Sequence, residues 1–518
     1  MSKLNLTDKQ SGIVANLVFA VVFIILLFVF GLNKTMFEPP QSVHIWRQTN
    51  STSMAQNYYQ DNVPFLEPAV HNQWCEGGFS GKTAGEFPVI YFVVAKIWDV
   101  TGYNLFIFRL VQVLILFTGL FLLFRSLQVL FNNKLWAVFI SILLFTSPMV
   151  VFYGPNFLPD VPALSFVFIA WFFIVMFLVK RNQYSLWLSA LFFCLSMLLK
   201  ITSALSFLAL GGWILFELLF QKEEKRIFNF KLAQFIPFIL VIPVVIAWYW
   251  YVEYYNGLHG GQVSYHGIWP VWEMTKEQYL RIIDALNKIY FKELFLPYTQ
   301  YLTLAVWVYL LITIKKLPLV LRYFIIVLPI GMLVELLLWF QVLEGHDYYT
   351  INLLVVFVAV WAIFFYSIKE KKLIKHPVFY TVGLGFLIFN VVTCQTRIET
   401  RYTGWMNSMY VDRMKALTEI EPYFNELGIT RDVKVISIPD YTINASLFYM
   451  NRKGYTEFAS DFSKTETFYS RIEQGAKYLI VNDTTILHKP EIQPFIVNKL
   501  GEFKNIWVYD LREIKKPE

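Results

Sequence analysis

A carboxylate can take a proton from a hydroxyl, and an ammonium or guanidinium can hold a phosphate. Only 16% of this 518-residue chain is charged, so such groups stand out where they interrupt apolar runs. Glu86 lies in Gly85-Glu86-Phe87-Pro88, and the proline suits the first turn of a following helix. A carboxylate held there is either a base for a hydroxyl proton or a partner of the helix dipole. Asp160, between Pro159 and Pro162 at the start of an apolar run, is a second candidate carboxylate or an N-cap. Lys200 ends the run LFFCLSMLLK, with Thr202 and Ser203 before the next one. An ionisable group so placed is a functional-site candidate, and a lipid phosphate at the membrane boundary is its natural partner. A lysine that snorkels to the interface is the plainer alternative.

Arg47, in His44-Ile45-Trp46-Arg47-Gln48, offers bidentate recognition of phosphate or carboxylate. The segment Glu344-Gly345-His346-Asp347-Tyr348-Tyr349 sets a titratable histidine and two tyrosines between two apolar runs. Interfacial tyrosines are common, so His346 is the informative residue there. Between 253 and 296, His259, His266, Trp269, Trp272 and Arg281 can line a sugar site, because aromatic faces stack on sugar rings. An amphipathic helix lying in the headgroup region accounts for the same aromatics.

The first polar loop has no Asp-x-Asp pair, and no His-Glu-x-x-His spacing occurs, which disfavours a metal-bound nucleotide-sugar donor. A divalent metal is otherwise left open, and no cofactor is expected. Cys75, Cys194 and Cys394 are too few and too scattered for a disulfide framework or a metal site. The net charge of +7 comes without a basic patch interleaved with stacking aromatics, so nucleic acid is not an expected partner.

These residues sit in a chain that is 57% hydrophobic, where a soluble domain would carry about 25% charged residues. That composition predicts an α-helical polytopic membrane protein. Roughly eleven spans are expected, near 12–33, 104–124, 135–153, 161–179, 185–200, 202–220, 233–252, 298–314, 318–341, 350–368 and 377–394. The first is read as a retained anchor, since its apolar core is longer than that of a signal peptide. Lys3/Lys9, Arg125/Lys134, Lys180/Arg181, 221–226, Lys315/Lys316 and 369–376 then share one side, which the positive-inside rule makes cytoplasmic. The external side receives the first loop, 34–103, together with 156–160, Lys200, 253–296, 344–349 and the tail.

Two domains are expected: a membrane domain over 1–396 and an external soluble α/β domain over 397–518. In the tail, VKVISIPD, AKYLIVND and NIWVYDL read as short buried strands. ETFYSRIEQGA and DRMKALTEIEPYFNELGI read as helices, the latter ending at Gly428. Strands alternating with helices favour a mixed or parallel sheet, in an accessory or acceptor-docking domain.

The polar run from Pro39 to Lys96 is too long for an ordinary connection. With HIWRQTN…NYYQ…GEFPVIYFVVAKIW, FYGPNFLPDVPALSF, LLKITSAL and HDYY in this order, residues 10–395 resemble the GT-C membrane glycosyltransferases. The likeness is to the protein O-mannosyltransferase-like group that includes the aminoarabinose transferases acting on lipid A. The resemblance implies inverting transfer from a polyprenyl-phosphate sugar, with a first-loop carboxylate as base and cations on the lipid phosphate. Relatives carry an acid just after the Trp-Arg-Gln segment; here that place is Asn50, and an amide is no base.

The base is therefore assigned to Glu86, with Asp160 second. Arg47, Lys200, His346, Tyr348 and Arg281 are expected on the lipid phosphate. His44, Trp46, Gln48, Asn50, His266 and Trp269 are expected around the substrates. The expected activity is sugar transfer to a hydroxyl of a glycan, lipid or protein at the external face of a plasma membrane, in contact with membrane lipids. The alternatives are a non-catalytic protein that binds lipid-linked sugar, or a transporter. A transporter would show inverted repeats and ionisable groups near mid-membrane, which the sequence lacks.

Overall fold

The computed structural model describes residues 9–228, 232–262 and 267–516. Backbone polar groups inside a bilayer must be satisfied within the segment, so apolar runs of spanning length fold as helices. Among the described residues, eight helices are long and apolar enough to cross a membrane. They are Gly12–Val29, Leu105–Phe131, Asp160–Lys180, Ile201–Phe220, Gln234–His259, Leu319–Leu338, Asp347–Ile368 and Pro377–Arg401. A ninth is obtained if Lys276–Leu294 and Pro297–Ile312, bent by 86°, count as one.

The two remaining expected spans are shorter helices. The run 135–153 is helical over Lys134–Leu144 and restarts only at Pro148, whose ring and missing N–H interrupt the ladder. Tyr184–Leu199 has 16 residues, about 24 Å of helix against a hydrocarbon core of about 30 Å.

The chain divides into two compact units. The first is drawn from Met1–Phe37, Arg109–Trp248 and His266–Glu399, the second from Glu38–Phe108, Tyr249–Tyr265 and Thr400–Glu518. Within the first unit, basic loops expected on one side meet in pairs. Arg181 Nη1 donates to Ile227 O at 2.7 Å, and Trp136 Nε1 donates to Ile374 O at 3.1 Å.

The second unit contains a five-stranded mixed sheet: β1 Lys434–Ile438, β2 Gly454–Tyr455, β3 Ala476–Val481, β4 Lys499–Phe503 and β5 Ile506–Asp510. The order is β2-β1-β3-β5-β4, with β2, β1 and β3 parallel and β5 and β4 antiparallel. Side chains alternate with period two, and both faces are covered. Val435, Tyr478, Ile480 and Val508 pack with Phe424, Leu447 and Ile45. Ile436, Leu479, Val481 and Tyr509 pack with Phe468 and Phe495 on the other face.

Three strands match the sequence reading, and the helix read in ETFYSRIEQGA is Thr465–Glu473. The helix read over DRMKALTEIEPYFNELGI is instead a series of short helical turns, Tyr410–Met414, Lys415–Glu419 and Glu421–Glu426. Pro422 supplies no N–H to a preceding turn, so the chain begins a new helix there. Gly428 ends the last turn in the left-handed region, φ 69°. The two-residue β2 was not legible, yet Gly454 is required in it. A Cβ there would stand 1.9 Å from Val435 O.

Candidate functional site

In the first unit, Asp160–Lys180 and Tyr184–Leu199 form an antiparallel hairpin over a three-residue turn, so the start of one helix lies beside the end of the other. Ser196 Oγ fixes the register, with contacts of 2.7 Å to Ala163 O and 2.6 Å to Ser203 Oγ. The chain leaves the helix at Lys200 in an extended conformation, φ −155° and ψ 113°. Its ammonium stands 3.2 Å from Asp160, which is fully buried, while Lys200 is 7% exposed. The N-cap reading of Asp160 is thereby corrected: Pro159 is the cap residue, Asp160 opens the helix, and its carboxylate faces Lys200.

Two aromatic faces complete the surroundings of the ammonium. Lys200 Nζ lies 4.0 Å from the ring centre of Tyr349 and 5.1 Å from that of Tyr348. Tyr348 OH is 3.1 Å from His346 Nδ1. The helical turns Asp347–Leu353 are tied down at three points. Tyr153 OH donates to Asp347 Oδ1 at 2.5 Å, Asn352 Nδ2 donates to Thr202 Oγ1 at 3.1 Å, and Thr350 Oγ1 lies 3.2 Å from Met149 Sδ. Lys200, His346, Tyr348 and Asp160 thus belong to one cluster. A cation held beside a buried carboxylate and flanked by ring faces is suited to an anionic oxygen.

In the second unit the centre is the helix Ile45–Gln60, whose polar side chains from Arg47 to Asn57 are buried. Its hydroxyls fold back on the preceding turn: Thr52 Oγ1 donates to Gln48 O at 2.9 Å and Ser51 Oγ to Arg47 O at 3.3 Å. Arg47 is ion-paired with Glu86, just before the helix Val89–Thr101, and lies 5.8 Å from the Trp46 ring. The pair orients the Glu86 carboxylate. Gln48 Nε2 donates to Gln41 O and Val43 O, at 2.7 and 2.9 Å, and so closes the turn that feeds the helix. His44 is the N-cap residue, with φ 57°.

Asn50 accepts a 2.6 Å hydrogen bond from Asn444 of the tail. Other bonds join the same parts of the unit. Gln73 N donates to Gly454 O at 2.8 Å, Asn72 Nδ2 to Ile443 O at 2.7 Å, and Asp61 pairs with Arg431 and Lys453 at 2.8 and 2.7 Å. Burial raises the Asp61 carboxyl, but Lys453 and Arg431 outweigh it and hold the group below its ordinary value. His71 is fully buried with Ser53 Oγ 2.6 Å from its Nδ1. Burial first, then the Arg431 and Lys453 charges, push its pKa down to about 3.

The remaining candidates fall elsewhere. Arg281 Nε donates to Glu344 at 2.8 Å, both side chains well exposed. Trp269 N donates to Leu338 O at 2.9 Å. His266 lies outside the described residues. Sequence reasoning missed Asp347 as the acceptor for Tyr153, and it missed Glu335. The latter is an acid in the apolar helix Leu319–Leu338, within electrostatic reach of Lys200. The signal was present, since an acid inside a span calls for a partner.

Residues 85–250 match the family described as dolichyl-phosphate-mannose-protein mannosyltransferase. No curated protein matches the chain by sequence. Among solved structures the chain is similar to ArnT from Cupriavidus metallidurans in the apo state, with TM-score 0.60 and 12% identity. The match covers 99% of this chain and 100% of that one. The same enzyme bound to undecaprenyl phosphate aligns with TM-score 0.60 and 11% identity, at the same coverage. Arabinofuranosyltransferase AftD from Mycobacteria aligns with TM-score 0.55 and 11% identity, over 98% of this chain and 40% of that one. With its apolar helices, its small mixed sheet and the family match over 85–250, the chain is a membrane protein built on the GT-C glycosyltransferase fold.

Proposed function

We propose that the protein transfers a sugar from a polyprenyl-phosphate-linked donor to a hydroxyl acceptor by single displacement with inversion, at the external face of a plasma membrane. The observation that carries this reading is the Lys200 ammonium, set at a helix end between the buried Asp160 and the rings of Tyr348 and Tyr349. A phosphate anion departing from the anomeric carbon gains charge as the bond breaks, and a fixed cation stabilises that charge most in the transition state. Lys200 takes this role, with His346 and Tyr348 beside it. Glu86, oriented by Arg47, takes the proton of the acceptor hydroxyl.

Support from relatives is of two kinds: the family match, and the ArnT structure that holds undecaprenyl phosphate. The test is release of free polyprenyl phosphate from a panel of polyprenyl-phosphate sugars by purified protein. Lys200→Ala should lower kcat for release, and Glu86→Gln should lower release by roughly 10²–10⁴-fold without loss of expression. A non-catalytic binding protein is the second reading, favoured by Asn50, whose amide is committed to Asn444. Donor binding without any release by wild type would establish it.

A further inference from the structure

The sheet of the second unit carries an open crevice of about 570 Å³, a volume typical of small-ligand sites. Its lining includes Tyr441, Glu457, Ser460, Asp461, Ser463 and Lys489. Tyr441 follows β1, residues 457–463 follow β2, and Lys489 lies on the connection leaving β3. The crevice is therefore built from the segments that follow three parallel strands at their carboxyl ends. From β1 the chain moves to β2 at one edge, whereas from β3 it moves to β4 and β5 at the other. The boundary between β1 and β3 is thus a topological switch point, where open α/β sheets place their ligands.

The lining selects the class of ligand. Two carboxylates, of which Asp461 is paired with Lys464 at 3.0 Å, stand with the Lys489 ammonium and serine hydroxyls, and carboxylates and hydroxyls pair well with sugar hydroxyls. Tyr441 is 72% exposed and offers a ring face. Glu457 lies within reach of both Tyr441 and Lys489, whose hydrogen bond and charge act on its carboxyl. Asp461 is pre-set by Ser463, with contacts of 2.5 Å from Oγ and 3.2 Å from N. The wall that bears Tyr441 is rigid, because Asp440 accepts from Thr442 N at 2.9 Å and Ser446 N at 2.8 Å. It also joins the polar helix through Asn444 and Asn50.

We propose that this crevice is a saccharide-binding site that holds the acceptor glycan, with Tyr441 stacking on a ring and Glu457 and Asp461 accepting from hydroxyls. Naming the saccharide as acceptor rests on the proposed transfer activity; the binding itself does not. The test applies the full chain in detergent to an array of immobilised oligosaccharides, with Tyr441→Ala and Glu457→Gln alongside and polyprenyl phosphate release measured separately. A discrete set of oligosaccharides should bind. Each variant should weaken that binding by roughly tenfold, about 1.4 kcal/mol, without moving the unfolding midpoint. Inorganic phosphate and ATP should not compete. Binding with these properties but no donor turnover would sink the transfer activity and leave the site standing. No oligosaccharide bound by wild type, equal binding by both variants, or displacement by phosphate or ATP would overturn the site.

Discussion

Replacing Lys200 with Met removes the ammonium 3.2 Å from a carboxylate that has no exposure to water. Removing one partner of a buried ion pair costs about 3–5 kcal/mol. The single variant should therefore lose about 3–5 kcal/mol. Asp160→Asn combined with Lys200→Met removes both charges and should recover most of that loss. Stability and function then separate, since the double variant should fold yet fail to use a lipid-phosphate donor. Thermal unfolding in detergent gives the first quantity and polyprenyl phosphate release the second. The reasoning is refuted if Lys200→Met melts like wild type, or if the double variant turns over donor at the wild-type rate.

Two further outcomes follow from the second unit. His71 is held neutral at about 3 by burial and nearby cations, against 6.5 for a free imidazole. The unfolded chain therefore binds a proton first on acidification. This contribution to stability is intact above about pH 6.5 and is lost toward pH 3, at about 1.4 kcal/mol per pH unit. His71→Asn should flatten the pH dependence of the unfolding midpoint between about pH 6.5 and 5, and equal slopes would contradict the assignment. Asn444→Ala leaves the buried Asn50 carbonyl without its 2.6 Å donor and should cost about 1–3 kcal/mol, read by chemical unfolding; an unchanged midpoint would remove the bond from the account.

What could be read from the sequence was what one element decides by itself. Apolar runs of spanning length, strands of alternating burial and the prolines at helix starts are local signals. The eight apolar helices of spanning length, three strands and the break at Lys200 were legible for that reason. Asp160, Lys200, His346 and Tyr348 were legible as candidates because each lies where an apolar run begins or ends, and the structure brings them into one cluster. Contact partners were not legible. That Arg47 meets Glu86, that Asp160 meets Lys200, and that Asn444 reaches Asn50 across 394 positions depend on tertiary packing. The polar helix Ile45–Gln60 carries no apolar stripe, so its burial could not be inferred from periodicity. The break at Pro422 was overridden in the reading by the helical spacing around it, although a mid-run proline argues for a boundary.

The central claim is that a fixed cation and a paired carboxylate serve sugar transfer from a lipid phosphate. Its most direct test presents labelled polyprenyl-phosphate sugars to purified wild type, Lys200→Ala and Glu86→Gln, and counts free polyprenyl phosphate. Release is expected from wild type, slower release from Lys200→Ala even at saturating donor, and a fall of roughly 10²–10⁴-fold for Glu86→Gln, the usual contribution of a general base. Equal release by wild type and Glu86→Gln, or none by any of the three with donor bound, would contradict it.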